Sequence, residues 1–232
     1  MKDKEIYIKV TKNGPYLVYG LKKITIKYII SDENGVAFKY DEGKTFEIKT
    51  EPQSLCRCGK SKNAPYCDGT HITFKFDGSL NAPFESILKN AKTYIGPNLI
   101  LKDNEMYCAG VRFCHQNGDI WNFIMENDEH KQKLAIDEIN ACPAGRLIVF
   151  DKNGQVCEAN LEKALELLED NWMKLSGPIW VKGGIRIENE EGISYEVRNR
   201  QTICRCGASK NKPFCDGSHM DVKFKANYEQ NY

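Results

Sequence analysis

Ten cysteines are the residues of this 232-residue chain best suited to chemistry, and six of them form two matching groups. Each group has the spacing C-x-C-x8-C-x3-H, so three thiols are followed by one of the four histidines in the chain. The two segments, 56–71 and 204–219, are identical at twelve of sixteen positions. Such a repeat indicates two copies of one structural unit. Thiolates and neutral imidazoles bind metals, and we therefore predict one metal centre in each copy.

The identity of the metal stays open on residue types and spacing alone. The predicted ligands are Cys56, Cys58, Cys67 and His71 in the first copy and Cys204, Cys206, Cys215 and His219 in the second. Three cysteines with one histidine form a legitimate zinc set, although zinc sites usually begin with C-x2-4-C rather than C-x-C. An iron–sulfur cluster suits the same ligands equally well. Disulfides are disfavoured, because no apolar export segment opens the chain and a reducing compartment is expected.

An aspartate follows the third cysteine of each group. We predict that Asp68 and Asp216 are N-caps, each accepting a hydrogen bond from the backbone N–H three residues further on. The short helix that follows would carry the cysteine and the histidine on one face. Its N-terminus would then point positive partial charge at the bound centre.

Both segments resemble the CDGSH, or NEET, iron–sulfur motif, C-x-C-x2-[ST]-x3-P-x-C-D-G-[STA]-H. Every fixed position is met twice, with Thr70 and Ser218 at the variable position before the histidine. The resemblance implies a 2Fe-2S cluster in each motif, with the first two cysteines on one iron and the third cysteine and the histidine on the other. It also implies that two such units form a β-cap with two-fold symmetry, here within one chain.

Histidine ligation has a chemical consequence. The imidazole binds as a neutral base, so protons compete with iron for its nitrogen. A histidine in place of a thiolate also raises the reduction potential of a 2Fe-2S cluster. We therefore predict acid-labile clusters with pH-dependent potentials.

Three further cysteines lie between the two repeats. Bacterial ferredoxins use C-x2-C-x2-C followed by a later C-P. Cys108, Val111 and Cys114 occupy the first three of those positions, and the C-P at Cys142 supplies the last. The segment 97–157 therefore resembles a divergent single-cluster ferredoxin domain, a family also found joined to CDGSH motifs. Val111 departs from the pattern.

Three cysteines most simply hold a 3Fe-4S cluster, whereas a 4Fe-4S cluster needs a fourth ligand. His115 and Asp119 are the neighbouring candidates besides solvent, and a hydrogen-bonded or surface imidazole is the alternative for His115. Three unlinked buried thiols are the alternative for the whole group. Cys157, the tenth cysteine, receives no role.

The elements that must position these ligands are mostly short strands. Period-two alternation predicts strands before each motif and after each histidine, at 24–28, 45–49, 72–76, 185–188, 195–198 and 220–224. Strands at 98–101 and 147–150 and a helix at 133–140 are predicted for the middle, and 161–168 has helical spacing. The predicted fold class is α+β, mostly β: an intramolecular pseudo-two-fold CDGSH β-cap with an inserted small ferredoxin-like domain.

The repeats and the change of pattern between them predict four segments. They are 1–96, the first CDGSH unit; 97–157, the ferredoxin-like domain; 158–172, a connector; and 173–232, the second CDGSH unit. The first copy is longer by a hairpin around Asn34-Gly35, because Asn-Gly is a strong hairpin turn signal.

Charge is nearly balanced overall but unevenly distributed. The chain has 33 Lys plus Arg and 32 Asp plus Glu, a net charge of +1, yet residues 97–172 alone carry a net charge of −7. The balance argues against nucleic acid as a partner, and no apolar run approaches the roughly 20 residues of a membrane helix. The acidic middle predicts docking of a basic redox partner protein onto a monomer, and solvation of these acidic residues without a partner is the alternative.

We expect a cytoplasmic electron-transfer protein rather than an enzyme, because the sequence has no P-loop, G-x-G-x-x-G or nucleophile elbow. Cluster transfer or storage, or redox sensing, is the alternative, and a zinc-stabilised structural module is a third. Basic residues crowd both motifs and are expected to neutralise the clusters, steer acidic partners or be solvated. They are Arg57, Lys60, Lys62, Arg205, Lys210 and Lys212.

Overall fold

The computed structural model describes residues 5–228 of the chain. Its strands are β1 Tyr7–Val10, β2 Tyr16–Tyr19, β3 Lys23–Ser31, β4 Ala37–Glu47, β5 Gln53–Leu55, β6 Lys92–Ile95, β7 Leu99–Asp103, β8 Leu147–Asp151, β9 Ala164–Asp170, β10 Leu175–Lys182, β11 Arg186–Glu188 and β12 Arg200–Ile203. Its helices are α1 Thr70–Thr73, α2 Ile120–Met125, α3 Glu129–Ala141 and α4 Ser218–Asp221, with 3-10 turns at Glu105–Tyr107 and Phe113–His115. The mostly β character predicted from the sequence is confirmed.

The same pair of strands delivers the motif in each repeat. β2 pairs antiparallel with β5, with Tyr16 opposite Leu55, and β10 pairs antiparallel with β12, with Ile179 opposite Ile203. β5 and β12 each end at the residue before the first cysteine of the motif. The chain therefore enters both metal-binding loops from equivalent positions in a sheet.

Each of the two larger sheets contains strands from both repeats. The four-stranded sheet has the order β11-β1-β2-β5, and the five-stranded sheet has the order β12-β10-β9-β3-β4. β1 lies parallel to β11 and β9 lies parallel to β3. The four-stranded sheet thus takes β11 from the second repeat, and the five-stranded sheet takes β3 and β4 from the first. Apolar side chains from both repeats consequently share one core. Its members include Ile8, Val18, Ile24, Leu55, Leu167, Val181, Ile187 and Ile203.

The middle of the chain forms a third sheet, in the order β6-β7-β8, with α2 and α3 packed beside it. Aspartates begin both helices, because Asp119 accepts a hydrogen bond from Trp121 N and Asp128 accepts from His130 N and Lys131 N. A separate apolar core lies under this sheet. It contains Leu99, Leu101, Ile120, Ile124, Ala135, Ile139, Leu147 and Val149.

The long β3–β4 hairpin of the first repeat supports the middle of the chain. Arg112 donates through Nε to Gly35 O at 2.6 Å, at the hairpin turn, and through Nη2 to Asp170 Oδ2 of β9 at 2.7 Å. The Tyr40 hydroxyl of β4 donates to Ala141 O at 3.0 Å. The extra length of the first repeat is thus used to hold the inserted segment.

Two segment assignments differ from the sequence prediction. Residues 158–172, predicted as a connector, contain β9, which lies between β3 and β10 in the five-stranded sheet. Both faces of β9 are covered, so Leu165, Leu167 and Leu168 form a short apolar run whose spacing mimics a helix. At the boundary predicted between residues 96 and 97, β6 lies within the predicted first CDGSH unit but pairs with β7 of the third sheet.

The strand predictions after the histidines are wrong. Residues 72–76 and 220–224 follow or overlap the short helices α1 and α4, and they make no sheet ladder. Residues 195–198 also lie outside a strand, and the ladder begins only at Arg200. The other alternating segments, and the helix at 133–140, lie in or overlap elements of the predicted type.

A buried tyrosine of the first repeat is tied to the loop of the second. Tyr16 is fully buried, and its hydroxyl lies 2.6 Å from Cys204 O and 3.1 Å from Pro213 O. We expect Tyr16→Phe to lower the free energy of unfolding by about 1–3 kcal/mol, because a buried carbonyl loses its donor. Tyr19→Phe, at a partly buried ring stacked on Tyr7, is the control and should change it by less than about 0.5 kcal/mol. Denaturant unfolding measures both, and equal losses would contradict the assignment.

Candidate metal centres

Each repeated motif brings its four predicted ligands together as two pairs. In the first motif, Cys56 Sγ and Cys58 Sγ are 3.7 Å apart, and Cys67 Sγ and His71 Nδ1 are 3.4 Å apart. In the second motif the corresponding distances are 3.6 Å between the Cys204 and Cys206 sulfurs and 3.5 Å between Cys215 Sγ and His219 Nδ1. All eight residues therefore have partners from the sets that the spacing predicted.

These distances suit two ligands on one metal ion. Two thiolates on a tetrahedral ion with bonds of about 2.3 Å lie about 3.8 Å apart. Across residues 5–228, no three His, Cys, Asp or Glu side chains are close enough to hold a single ion. The donor set of each motif therefore fits two metal atoms with two protein ligands each, the arrangement of a two-iron cluster.

The aspartate that follows the third cysteine of each motif braces the loop rather than capping the helix. Asp68 accepts from Lys62 N at 2.8 Å and from Thr70 N, two residues on, at 3.0 Å, and Asp216 makes the equivalent bonds in the second motif. The N-caps are Gly69 and Gly217, both with left-handed backbone angles. The N-cap prediction is therefore wrong, because a carboxylate at this point closes a tighter turn two residues long.

Backbone amides surround the sulfur atoms. Gly217 N lies 3.4 Å from Cys215 Sγ, and Ala208 N lies 3.5 Å from Cys206 Sγ. The hydrogen bond from Cys58 lowers the pKa of Cys56 to about 6, and the hydrogen bond from Cys206 lowers the pKa of Cys204 to about 7. Each motif thus favours one thiolate before any metal binds, as a metal site requires.

The two motifs touch through their glycines. A Cβ on Gly59 would lie 2.5 Å from Cys206 O, and a Cβ on Gly207 would lie 2.6 Å from Cys58 O. Both glycines have positive φ, +74° and +81°, which L side chains rarely adopt. Only glycine permits this reciprocal approach, which makes the two candidate centres direct neighbours.

The two motifs differ in their exposure. Cys67 and His71 are half-buried, whereas Cys215 and His219 are buried. Burial and the positive charge of Arg205 together lower the pKa of His219 to about 4. Sequence identity between the motifs gave no sign of this difference, because it comes from what packs against them.

The three middle cysteines also come together. Cys108 follows the first 3-10 turn, Cys114 lies in the second, and Cys142 ends α3. Burial and the charges of Cys142 and Cys108 together raise the pKa of Cys114 to about 12, so the three sulfurs lie within Coulombic reach. Such buried thiols ionise readily only when a metal takes up their charge, which fits a cluster site.

A buried arginine lies beside this trio. Arg146 Nη1 is 3.3 Å from Asp103 Oδ1, and both side chains are buried. Burial lowers the pKa of Arg146, but the negative charges of Cys108, Asp103 and Cys142 outweigh it and raise the pKa overall. Arg146 therefore supplies a fixed positive charge next to thiolates that would otherwise repel one another.

A second arginine, which sequence reasoning missed, comes from the other repeat. Arg200 begins β12 and donates through Nη1 to Cys142 O at 2.8 Å and to Ile139 O, and through Nη2 to Leu147 O at 3.3 Å. Its Nε donates to Glu158 Oε1 at 2.6 Å. The position of Arg200, four residues before the first cysteine of the second motif, was the available signal.

The candidate fourth ligands have other contacts. The His115 ring lies 5.6 Å from the Trp121 ring, and Asp119 uses its oxygens on Trp121 N and Asn122 Nδ2 at the start of α2. Val111, at the missing cysteine position, is buried in an apolar group with Cys215. Cys157 is partly buried beside the separate core of the middle sheet.

The basic residues of the motifs fall into two groups. Arg57 and Arg205 are buried, which excludes the solvated alternative for both, and Arg205 donates to Gly177 O at 2.7 Å and Leu168 O at 2.8 Å. Lys212 is also buried, and its Nζ donates to Ser209 O at 2.7 Å. The exposed lysines are Lys60, Lys62 and Lys210.

The clamp on Cys142 can be tested by a conservative change. We expect Arg200→Lys to lower the free energy of unfolding by about 1–3 kcal/mol and to reduce bound iron, because lysine lacks the fork that reaches three carbonyls. Arg186→Lys is the control for bound iron, since Arg186 pairs with the carboxylates of Glu5 and Glu188 instead of with the middle-site carbonyls. Denaturant unfolding and iron analysis measure the effects, and an unchanged iron content in Arg200→Lys would refute the clamp.

Comparisons with known proteins agree with this geometry. Residues 13–72 and 176–220 match the family described as "Iron-binding zinc finger CDGSH type", and residues 94–152 match "Divergent 4Fe-4S mono-cluster". Searches of curated proteins and of solved structures gave no match. None of the helices within residues 5–228 is long and apolar enough to span a membrane. The chain is an iron–sulfur protein and belongs to the CDGSH family in its tandem two-motif form, with a divergent 4Fe-4S mono-cluster domain between the motifs.

Proposed function

We propose that this chain is an electron-transfer protein with three iron–sulfur centres. The observation that carries the proposal is the pairing of ligands in each CDGSH motif, two cysteines on one side and a cysteine with a histidine on the other. Each motif would hold one 2Fe-2S cluster, and Cys108, Cys114 and Cys142 would hold a 3Fe-4S or 4Fe-4S cluster. When bound, such clusters accept and release single electrons.

The protein surroundings suit that role because they are fixed in place. Arg205 lies between the first two cysteines of its motif and also donates to Glu169 Oε1 at 2.5 Å. Arg57, its counterpart, is 1% exposed and lies 5.2 Å from the Phe76 ring. Ligand loops held by buried charges change little when the charge of the bound centre changes, which keeps the reorganisation energy low.

We propose that the two repeats form a pseudo-two-fold cap and that the inserted segment has a ferredoxin-like fold. The reciprocal strand exchange, β1 onto β11 and β9 onto β3, supports the first part. The match to the mono-cluster family supports the second. The protein would act as a cytoplasmic monomer without catalysing a substrate reaction, and a basic redox partner would dock on residues 97–172, which carry a net charge of −7.

Delivery of a cluster to an apoprotein, or redox sensing, is a second candidate function. The half-exposed pair of Cys67 and His71 favours it, because an acceptor thiol can approach this site. Repeated reduction and oxidation without loss of iron supports electron transfer. Transfer of iron and sulfide to an apo-ferredoxin supports delivery.

Metal counting on anaerobically purified protein tests the proposal. We expect about seven irons per chain with a 3Fe-4S centre, or about eight with a 4Fe-4S centre, and about eight acid-labile sulfides in either case. EPR of the oxidised and reduced protein distinguishes the two cases. Two or three zinc ions in place of iron would refute the proposal.

The different exposure of the two histidines predicts two steps of acid loss. His219 has a pKa of about 4, below the usual value of about 6.5, so its imidazole stays neutral and able to bind metal until the pH falls through about 4. His71 is half-buried, so water reaches the first site more easily than the second. We therefore expect visible absorbance to fall in two phases, with the first site lost at the higher pH.

Substitution assigns the two phases. His71→Cys should remove the phase at higher pH, and His219→Cys, its control in the other motif, should leave that phase in place. Absorbance recorded during stepwise acidification measures both variants. A higher-pH phase that disappears in His219→Cys instead would contradict the assignment.

A further inference from the structure

The middle cysteine loop packs directly on the second CDGSH motif. A Cβ on Gly217, two residues after Cys215, would lie 3.3 Å from Cys108 O. A Cβ on Gly110, two residues after Cys108, would lie 2.7 Å from the sulfur of Met220, which follows His219. Both glycines have positive φ, so the backbone of each loop is shaped to admit the other.

The equivalent surface of the first motif has no such neighbour. Gly69, the counterpart of Gly217, has nothing within 4 Å of an added Cβ. Ile72, the counterpart of Met220, is 71% exposed. The inserted segment therefore packs on this surface of the second motif and leaves the equivalent surface of the first motif open, although the two motifs have almost identical sequences.

Two further contacts tie the middle site to the second motif. Cys215 shares an apolar group with Ala109, Val111 and Ala144, which lie in the two loops that carry the middle cysteines. Arg200, at the start of the strand that leads to Cys204, donates to Cys142 O at 2.8 Å. Both halves of the middle site thus contact the second motif.

The second motif also contacts the first through the glycine approach of Gly59 to Cys206 O and of Gly207 to Cys58 O. One motif therefore borders both other centres. Electron tunnelling weakens steeply with distance and is favoured through packed, covalently continuous protein. The order of contacts consequently sets the order of electronic coupling.

We propose, building on the three-centre function above, that the centres form a linear relay in which the second CDGSH site is the junction. With clusters bound, one electron would pass between a centre at Cys108, Cys114 and Cys142 and a centre held by the second motif, and then between the second motif and the first. In each step the donor centre would be oxidised as the acceptor centre is reduced. A reduced partner protein would donate one electron at one end of the relay. An oxidised partner protein would accept one electron at the other end. Met220 and Gly110 are positioning residues for the first transfer.

EPR relaxation tests this order on the full-length protein reduced with dithionite. A neighbouring paramagnetic centre speeds spin relaxation, and His71→Cys or His219→Cys, which shift one signal each, identify the two 2Fe-2S signals. We expect the second-motif signal to relax several-fold faster than the first. Equal relaxation, or faster relaxation of the first, overturns the relay order.

A variant that lacks the middle centre provides a second test of the relay order. Cys108→Ser should slow relaxation of the second-motif signal and leave the first unchanged, whereas Cys157→Ser, its control, should alter neither. Met220→Ile, which copies the first motif, should weaken the same coupling, and Ile72→Met should not. An unchanged second signal in Cys108→Ser overturns the inference.

Iron analysis keeps this result separate from the function itself. If the unsubstituted protein lacks the iron of the middle centre, the three-centre function fails. If the iron is present and the relaxation pattern is absent, only the relay order fails. The comparison of the two signals in otherwise intact protein decides the matter even when Cys108→Ser does not fold.

Discussion

The exchange of strands between the two repeats is the constraint on which the rest of the structure depends. Neither of the two larger sheets is complete within one repeat, because β1 needs β11 and β9 needs β3. The exchange builds a single core and brings the ends of β5 and β12 to one region of the molecule. The loops that leave these two strands therefore meet, and Gly59 and Gly207 approach the backbone of the opposite loop.

The inserted segment converts this near-symmetric base into an asymmetric one. It is held by the long hairpin of the first repeat, through Arg112 and Tyr40, yet its cysteine loops pack on the second repeat. Buried arginines recur at each contact: Arg146 beside the middle thiols, Arg200 on Cys142 O, and Arg205 within the second motif. Each buried charge is paired or hydrogen-bonded, which is the condition for keeping it inside a protein.

Much of the candidate site could be predicted from the sequence, because spacing and repetition are local properties. The two CDGSH ligand sets, the middle trio and the strands that enter the motifs follow from patterns within about 35 residues. The failures have physical causes. β9 is covered on both faces and loses its alternation, and the segments after His71 and His219 alternate but find no partner strand. Arg200 and Met220 act through residues far away in sequence, where no local pattern can reveal them.

The parallel pairing of β1 with β11 also determines when the first repeat can finish folding. The two strands lie near opposite ends of the chain, so β1 keeps an open edge throughout synthesis until the second repeat emerges. Pairings between strands so far apart in sequence form late, because the entropy of closing the long loop is lost before the contacts form. The first motif thus lacks its finished sheet, and its glycine contact, until the second repeat has been synthesised. The pair of neighbouring metal-binding loops is therefore complete only after both repeats have been synthesised.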